Sequence, residues 1–331
     1  MKSGIKIRKF QLVKCKTGAE LDLTDREIVA IGSGALRGSR KLERAVLPPM
    51  LSAVKNRGFA GCKRLKEVVL PSENSLGLSG FAFADCERLE RLFHTELLTV
   101  VGNSAFSGCR SLREMVFGRE LRRLGDEAFR GCKSLTEIHL PSSVSAVGQG
   151  VFAGCWNLED VSLENGFPTV TKSMFRDCIS LKGIDLPPSV GEISSSAFRG
   201  CTALEEVRIP ETVKRISSSA FRSCDRLAHV EIENGTKTVG AFAFSSCEAL
   251  TSVSVPVSVK RLGLGAFGLG FSSKKITLSV TNEYMVRRLR YLLFFCGRLG
   301  RVRIVLSGKT LEERKRERRR ATVEQSAVHI S

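Results

Sequence analysis

One spacing dominates this chain: Cys86, Cys109, Cys132, Cys155, Cys178, Cys201, Cys224 and Cys247 follow one another at intervals of 23 residues. Cys62 precedes them at 24, the extra residue falling within Ser72–Gly77. Ser39 takes the cysteine's place one unit earlier, and Gly270 one unit later. Three residues before these sites stand Leu36, Phe59, Phe83, Phe106, Phe129, Phe152, Phe175, Phe198, Phe221, Phe244 and Phe267; three residues after most of them stands a leucine. A fixed period of about 20–50 residues marks a chain that folds by stacking one supersecondary unit on the next.

The unit from Leu135 to Cys155 shows what is stacked. Ile138 and Leu140 alternate with Glu137 and His139, the pattern of a half-buried strand. Pro141, which has no N–H to donate, ends the ladder. Val144 and Val147 turn inward, Gly148 permits a turn, and Phe152 and Cys155 close the coil. One such unit cannot bury its apolar side alone, so ten or eleven of them form a solenoid stabilised between neighbours. Parallel strands about 4.8 Å apart make that solenoid on the order of 50 Å long.

The expected fold is an α/β-type solenoid, with short parallel strands on one face and irregular turns or short helical segments on the other. Residues 1–35 read as an N-terminal cap and imperfect first coil, and 36–281 as the solenoid. Residues 282–306 read as a C-terminal cap, and 307–331 as a basic, partly disordered tail. Ile5, Ile7 and Phe10–Val13 predict a strand or hairpin. Met285, Leu289, Leu292, Leu293 and Cys296 recur at helical spacing and predict a capping helix, with a strand at Val302, Ile304 and Leu306 after it.

The unit Leu-x-x-Ile/Val-x-Leu-Pro-x-Ser-Val-x-x-Ile-Gly-x-x-Ala-Phe-x-Gly-Cys resembles the BspA-type leucine-rich repeat, best in 135–155, 181–201 and 204–224. The resemblance covers roughly residues 36–270. It implies a binding module, since known members include bacterial and protist surface proteins that adhere to host components. It carries over no catalytic residues.

Charge is concentrated at the ends. Lys and Arg number 52 against 34 acids, a net charge of +18, with +6 in residues 1–19, +8 in 282–331 and only +4 between. Such termini suit an acidic partner, nucleic acid or acidic lipid. No apolar run approaches the ~18 residues of a membrane-spanning helix. No apolar segment of a secretory signal follows the basic start, so the eleven cysteines predict reduced thiols and an intracellular, cytoplasmic or nuclear, location.

The cysteine row lacks the short spacings of zinc ligands and reads as small buried hydrophobes, with neither metal nor cofactor expected. The four histidines form no nucleophile-base set, so no catalytic residues and no enzyme are expected. The recognition surface should be the outward strand positions. One row of acids, Glu67, Glu114, Glu137, Asp160 and Glu206, is expected to share a column and repel; the next outward position mixes Val116, His139, Ser162, Asp185, Arg208 and Glu231. Candidate partner-binding residues are therefore Glu114, Glu137, His139, Asp160, Asp185, Glu206, Arg208 and Glu231. Arg130, Arg176, Arg199 and Arg222 form a second row that either meets an anionic polymer or pairs with acids. Arg314, Lys315, Arg316, Arg318, Arg319 and Arg320 form a basic tail suited to nucleic acid, acidic lipid or nuclear import. The function expected is a non-enzymatic leucine-rich-repeat scaffold that binds a protein through its strand-lined face. The alternatives are a binder of nucleic acid or anionic surfaces through the termini, and a BspA-like surface adhesin.

Overall fold

The computed structural model describes residues 5–267, 276–280, 286–287, 289–290, 302–306 and 309–310. Its architecture is the repetition of one coil, with three sides per coil. The first side carries the predicted strand. Glu20–Asp22, Arg44–Val46, Glu67–Val69 and Arg91–Phe93 form one parallel sheet. Glu137–Leu140 and Asp160–Leu163 form a second, and Glu206–Ile209, His229–Ile232, Ser252–Val255, Ile276–Val280 and Val302–Leu306 a third, closed by antiparallel Lys309–Thr310. Burial alternates as the sequence requires: Ile138 and Leu140 are buried while Glu137 and His139 are exposed.

The second side was not anticipated as strand. Short segments such as Ala53–Val54, Arg123–Leu124 and Ala146–Val147 pair in parallel, in an eight-stranded sheet that begins with the Ile5–Arg8 and Gln11–Cys15 hairpin. Glu192–Ile193, Arg215–Ile216, Thr238–Val239 and Arg261–Leu262 continue it in a second sheet. Val144 is buried as expected, but Val147 is only half-buried. The α/β description is therefore corrected: the turns between the strands carry no helix beyond the three-residue 3-10 turn Thr95–Leu97 among the described residues of the coils. The capping helix is not supported either. Only Val286, Arg287, Leu289 and Arg290 of that segment are described as helical, and Met285, Leu292, Leu293 and Cys296 lie outside the described residues. The basic tail 314–320 lies outside them as well.

The third side holds the repeated Phe and Cys. Ten rings from Phe59 to Phe267 stack one per coil, with centroids 4.9–5.8 Å apart and planes within 14° of parallel. Each thiol donates to the backbone carbonyl of the preceding coil's aromatic position: Cys109 to Phe83 at 3.1 Å, Cys155 to Phe129 at 3.2 Å, Cys201 to Phe175 at 3.2 Å. A small, weakly donating side chain suits this slot, because it fills volume while adding a second donor to a carbonyl that already accepts the N–H of its own coil's cysteine, as Phe83 does from Cys86 at 3.2 Å. Burial pushes the thiols from Cys86 to Cys224 up, that of Cys155 to about 12. Gly148 serves close approach rather than a turn: an added Cβ would lie 2.3 Å from the Asp126 nitrogen of the coil below.

Two outcomes follow from this packing. Phe152→Ala removes a ring stacked on both sides and should cost about 3–5 kcal/mol of stability, read by denaturant unfolding. The nine thiols from Cys62 to Cys247 should stay silent to a thiol reagent until the protein unfolds. A native titration of more than two thiols would contradict the ladder.

Candidate functional site

The strand-lined first side displays the candidate residues. In the unit from Leu135 to Leu140, two adjacent positions, Thr136 and Glu137, and then His139 face outward around buried Ile138. Stacking turns these positions into columns. Glu137 lies beside Asp160 and His139 beside Ser162; Glu206 lies beside His229 and Arg208 beside Glu231. All eight candidates, including Glu114 and Asp185 in coils whose first side is not paired as strand, are exposed.

The expected column of acids is interrupted. Arg44 and Arg91 flank Glu67, and Arg44 approaches Glu67 at 3.6 Å. Gly183 separates Asp160 from Glu206, and His229 follows Glu206. Like-charge neighbours remain at Glu114, Glu137 and Asp160, so repulsion is confined to that stretch. A Cβ on Gly183 would meet nothing within 4 Å, so its bareness leaves the face open there. Beside it lies a notch of about 740 Å³ lined by Lys182, Glu205, Glu206, Asp225, Arg226 and His229. Burial, with the nearby Glu248 carboxylate, raises the Asp225 pKa.

Two residues that sequence reasoning missed brace this face. Glu164 accepts the Ser142 backbone N–H at 2.9 Å and its hydroxyl at 2.8 Å, and its other oxygen lies 3.0 Å from His139 Nε2. Glu233 repeats the arrangement three coils on, accepting the Glu211 N–H at 3.0 Å and Arg208 Nε at 2.6 Å. The signal was present: Glu-Asn-Gly replaces proline after Leu163 and after Ile232. Each clasp fixes an outward candidate, His139 or Arg208, to the coil that follows it.

The opposite, aromatic side has its own groove of about 610 Å³, where Lys133 Nζ sits 3.4 Å over the exposed Trp156 ring. Its arginines are paired: Arg130 with Glu127 at 2.9 Å and Arg176 with Asp177 at 3.2 Å. Arg199 and Arg222 are half-buried. Among the described residues, no three His, Cys, Asp or Glu side chains converge to hold a metal ion, and no helix is long and apolar enough to cross a membrane.

The family model for the BspA type leucine rich repeat region (6 copies) matches residues 2–113, 77–205 and 191–311. The chain belongs to the BspA-type leucine-rich repeat family. No curated protein matches it significantly. Among solved structures, this BspA-type chain is similar to a leucine rich cell surface protein from Faecalibacterium prausnitzii, at 18% identity and a TM-score of 0.51, over 91% of this chain and 92% of that one. It is also similar to a leucine-rich repeat protein from Bacteroides ovatus, at 21% identity and a TM-score of 0.39, covering 80% and 92%. The pneumococcal vaccine antigen PcpA matches at 14% identity and a TM-score of 0.40, covering 92% and 94%. At these identities the likeness concerns the fold.

The Glu164 clasp gives the BspA-type coils a pH signature. The Ser142 N–H, then its hydroxyl, then His139 hold the Glu164 carboxyl down at about 2. A depressed carboxyl stabilises the fold fully above its unfolded value, about 4.3, and loses that contribution as pH falls through the folded value. Because the side chain is 34% exposed, the effect is screened to at most about 1 kcal/mol. Thermal melts should therefore show Glu164→Gln less stable than wild type near neutrality, with the gap closing by about pH 2. A gap that holds constant across that range would remove the carboxylate's role.

Proposed function

We propose that this protein is a non-enzymatic leucine-rich-repeat scaffold that binds another protein through its strand-lined face. The contacts are placed at Glu114, Glu137, His139, Asp160, Asp185, Glu206, Arg208 and Glu231. The observation that carries this reading is the variety of exposed side chains on a backbone that is otherwise repetitive: acid, base, imidazole and a bare Gly183 succeed one another in columns whose inward neighbours barely change. A regular frame with irregular outward chemistry offers many polar contacts at fixed spacing.

The solved neighbour from Faecalibacterium is described as a cell surface protein, which weighs against the intracellular placement expected from the sequence. The cysteine argument for that placement also weakens. A thiol that is buried, hydrogen-bonded and held protonated by desolvation resists oxidation, so the row needs no reducing compartment. The reading is therefore of a surface-displayed binder, with an adhesin as its natural form. Nucleic-acid or acidic-lipid binding rests on the charge of the termini alone, +6 and +8.

Affinity capture from surface extracts, with partners identified by mass spectrometry, tests the face. Reversing Glu137, Asp160 and Glu206 together to lysine should abolish the captured protein, while removing residues 311–331 should leave it. Unchanged capture by the triple variant would reject the face. Loss on tail removal, together with a steep fall in retention as salt rises, would favour the electrostatic alternative.

A further inference from the structure

The strand-lined face changes character over the four coils before Glu137. Three outward columns run along the stack there. Glu43, Lys66, Glu90 and Arg113 make the first; Arg44, Glu67, Arg91 and Glu114 the second; Val46, Val69, Phe93 and Val116 the third. Charge alternates down each of the first two columns, and at every level the two have opposite sign. The eight charges thus form a checkerboard with no net charge. It stops at both ends, where Ala19 and Thr136 stand in the first column. Beside it the third column is apolar and in part strongly exposed, Phe93 at 41% and Val116 at 61%, before giving way to His139 and Ser162.

Pairing within the chain accounts for some of the alternation. Lys66 meets Glu43 at 3.0 Å, Arg44 meets Glu67 at 3.6 Å and Arg113 meets Glu90 at 3.8 Å. Such exposed pairs contribute little to stability, and they leave the apolar column uncovered.

We propose that this patch is the interface of a homodimer, with its twofold axis parallel to the strands and passing between Glu67–Val69 and Arg91–Phe93. Such an axis reverses the order of the coils while each column faces its own copy. Glu43 then meets Arg113 of the second copy, Arg44 meets Glu114, Lys66 meets Glu90, and Glu67 meets Arg91. Every charge finds its opposite, and Val46 faces Val116 while Val69 faces Phe93. An isologous interface must be self-complementary, and four alternating members satisfy that condition about a central axis. An axis along the stack instead sets a charged column against the apolar one. The bordering basic column, Lys41, Arg64 and Arg88, brings Arg64 against Arg88 and so confines the contact to these three columns. Four coils about 5 Å apart make a small patch, so the dimer is weak, with a Kd on the order of micromolar. Apart from Glu114, the partner-binding residues lie beyond this interface and stay open.

Sedimentation equilibrium of the full chain across the micromolar range tests the assembly. Wild type should show a monomer–dimer equilibrium. Glu67→Arg leaves arginine at both central positions, and Arg91→Glu leaves glutamate at both, so each variant alone should be monomeric. Mixed in equal amounts they should dimerise, because each copy supplies the charge the other lacks. Pairing within one chain cannot produce that rescue. Phe93→Asp, on an exposed site, should weaken the dimer at least tenfold with an unchanged melting curve. The lysine triple variant at Glu137, Asp160 and Glu206 should dimerise normally, which separates this result from partner capture. A monomeric wild type, single variants that still dimerise, or a mixture that stays monomeric would each overturn the proposal.

Discussion

The structure depends on one repeated slot. In each coil an aromatic ring lies flat on the ring below, and a thiol donates to the backbone carbonyl next to that lower ring. Neither contact tolerates a change of register, since a shift of one residue would put a polar turn residue into the stack and remove the thiol's bond between coils. The spacing of the rings therefore fixes the spacing of everything else: the paired strands on two sides, and the columns of outward side chains on the first.

Because packing is settled on the inside, the outer positions are released from structural work. That freedom is used unevenly. Over the early coils the outward residues form a neutral checkerboard beside an apolar strip; from Glu137 onward they become polar and irregular, interrupted by Gly183. Glu164 and Glu233 tie this second stretch together by replacing proline with a carboxylate that reaches the preceding coil. Membership of the BspA-type family supplies the frame, and these residues depart from the chain's own repeat.

Much of the fold was legible because the stacking period writes itself into the sequence. The first-side strand showed in the alternation of Ile138 and Leu140 with Glu137 and His139, and the burial of the thiols followed from their regular recurrence without close pairs. The second-side strand did not show, because segments such as Ala146–Val147 are too short for an alternating pattern to form. Gly148 was misread as a turn residue because its reason lies in the neighbouring coil, where Asp126 occupies the space a side chain would need. The acidic column was overstated for a related reason: comparing only the acids passed over Arg91 and Gly183, which stand between them in the stack, and Arg44, which precedes Glu67. The α/β label fails because the chain returning from each first-side strand is spent on a two-residue strand such as Ala146–Val147 and tight turns, which leaves no room for a helix.

The first-side sheet is broken in two places, at 113–117 and 182–186. At the first break Val116 N–H is diverted to the Thr95 hydroxyl of the preceding coil, while the rings of Phe106 and Phe129 continue unbroken at 5.2 Å. The second-side pairing also runs on, through Leu98–Val101 to Arg123–Leu124. The first side is bridged at 113–117 by a side chain instead of a strand ladder, the Thr95 hydroxyl also donating to the Val116 carbonyl at 2.8 Å. Continuity of the core thus does not require the display sheet to be continuous: a coil can give up its outward ladder and keep its place in the stack.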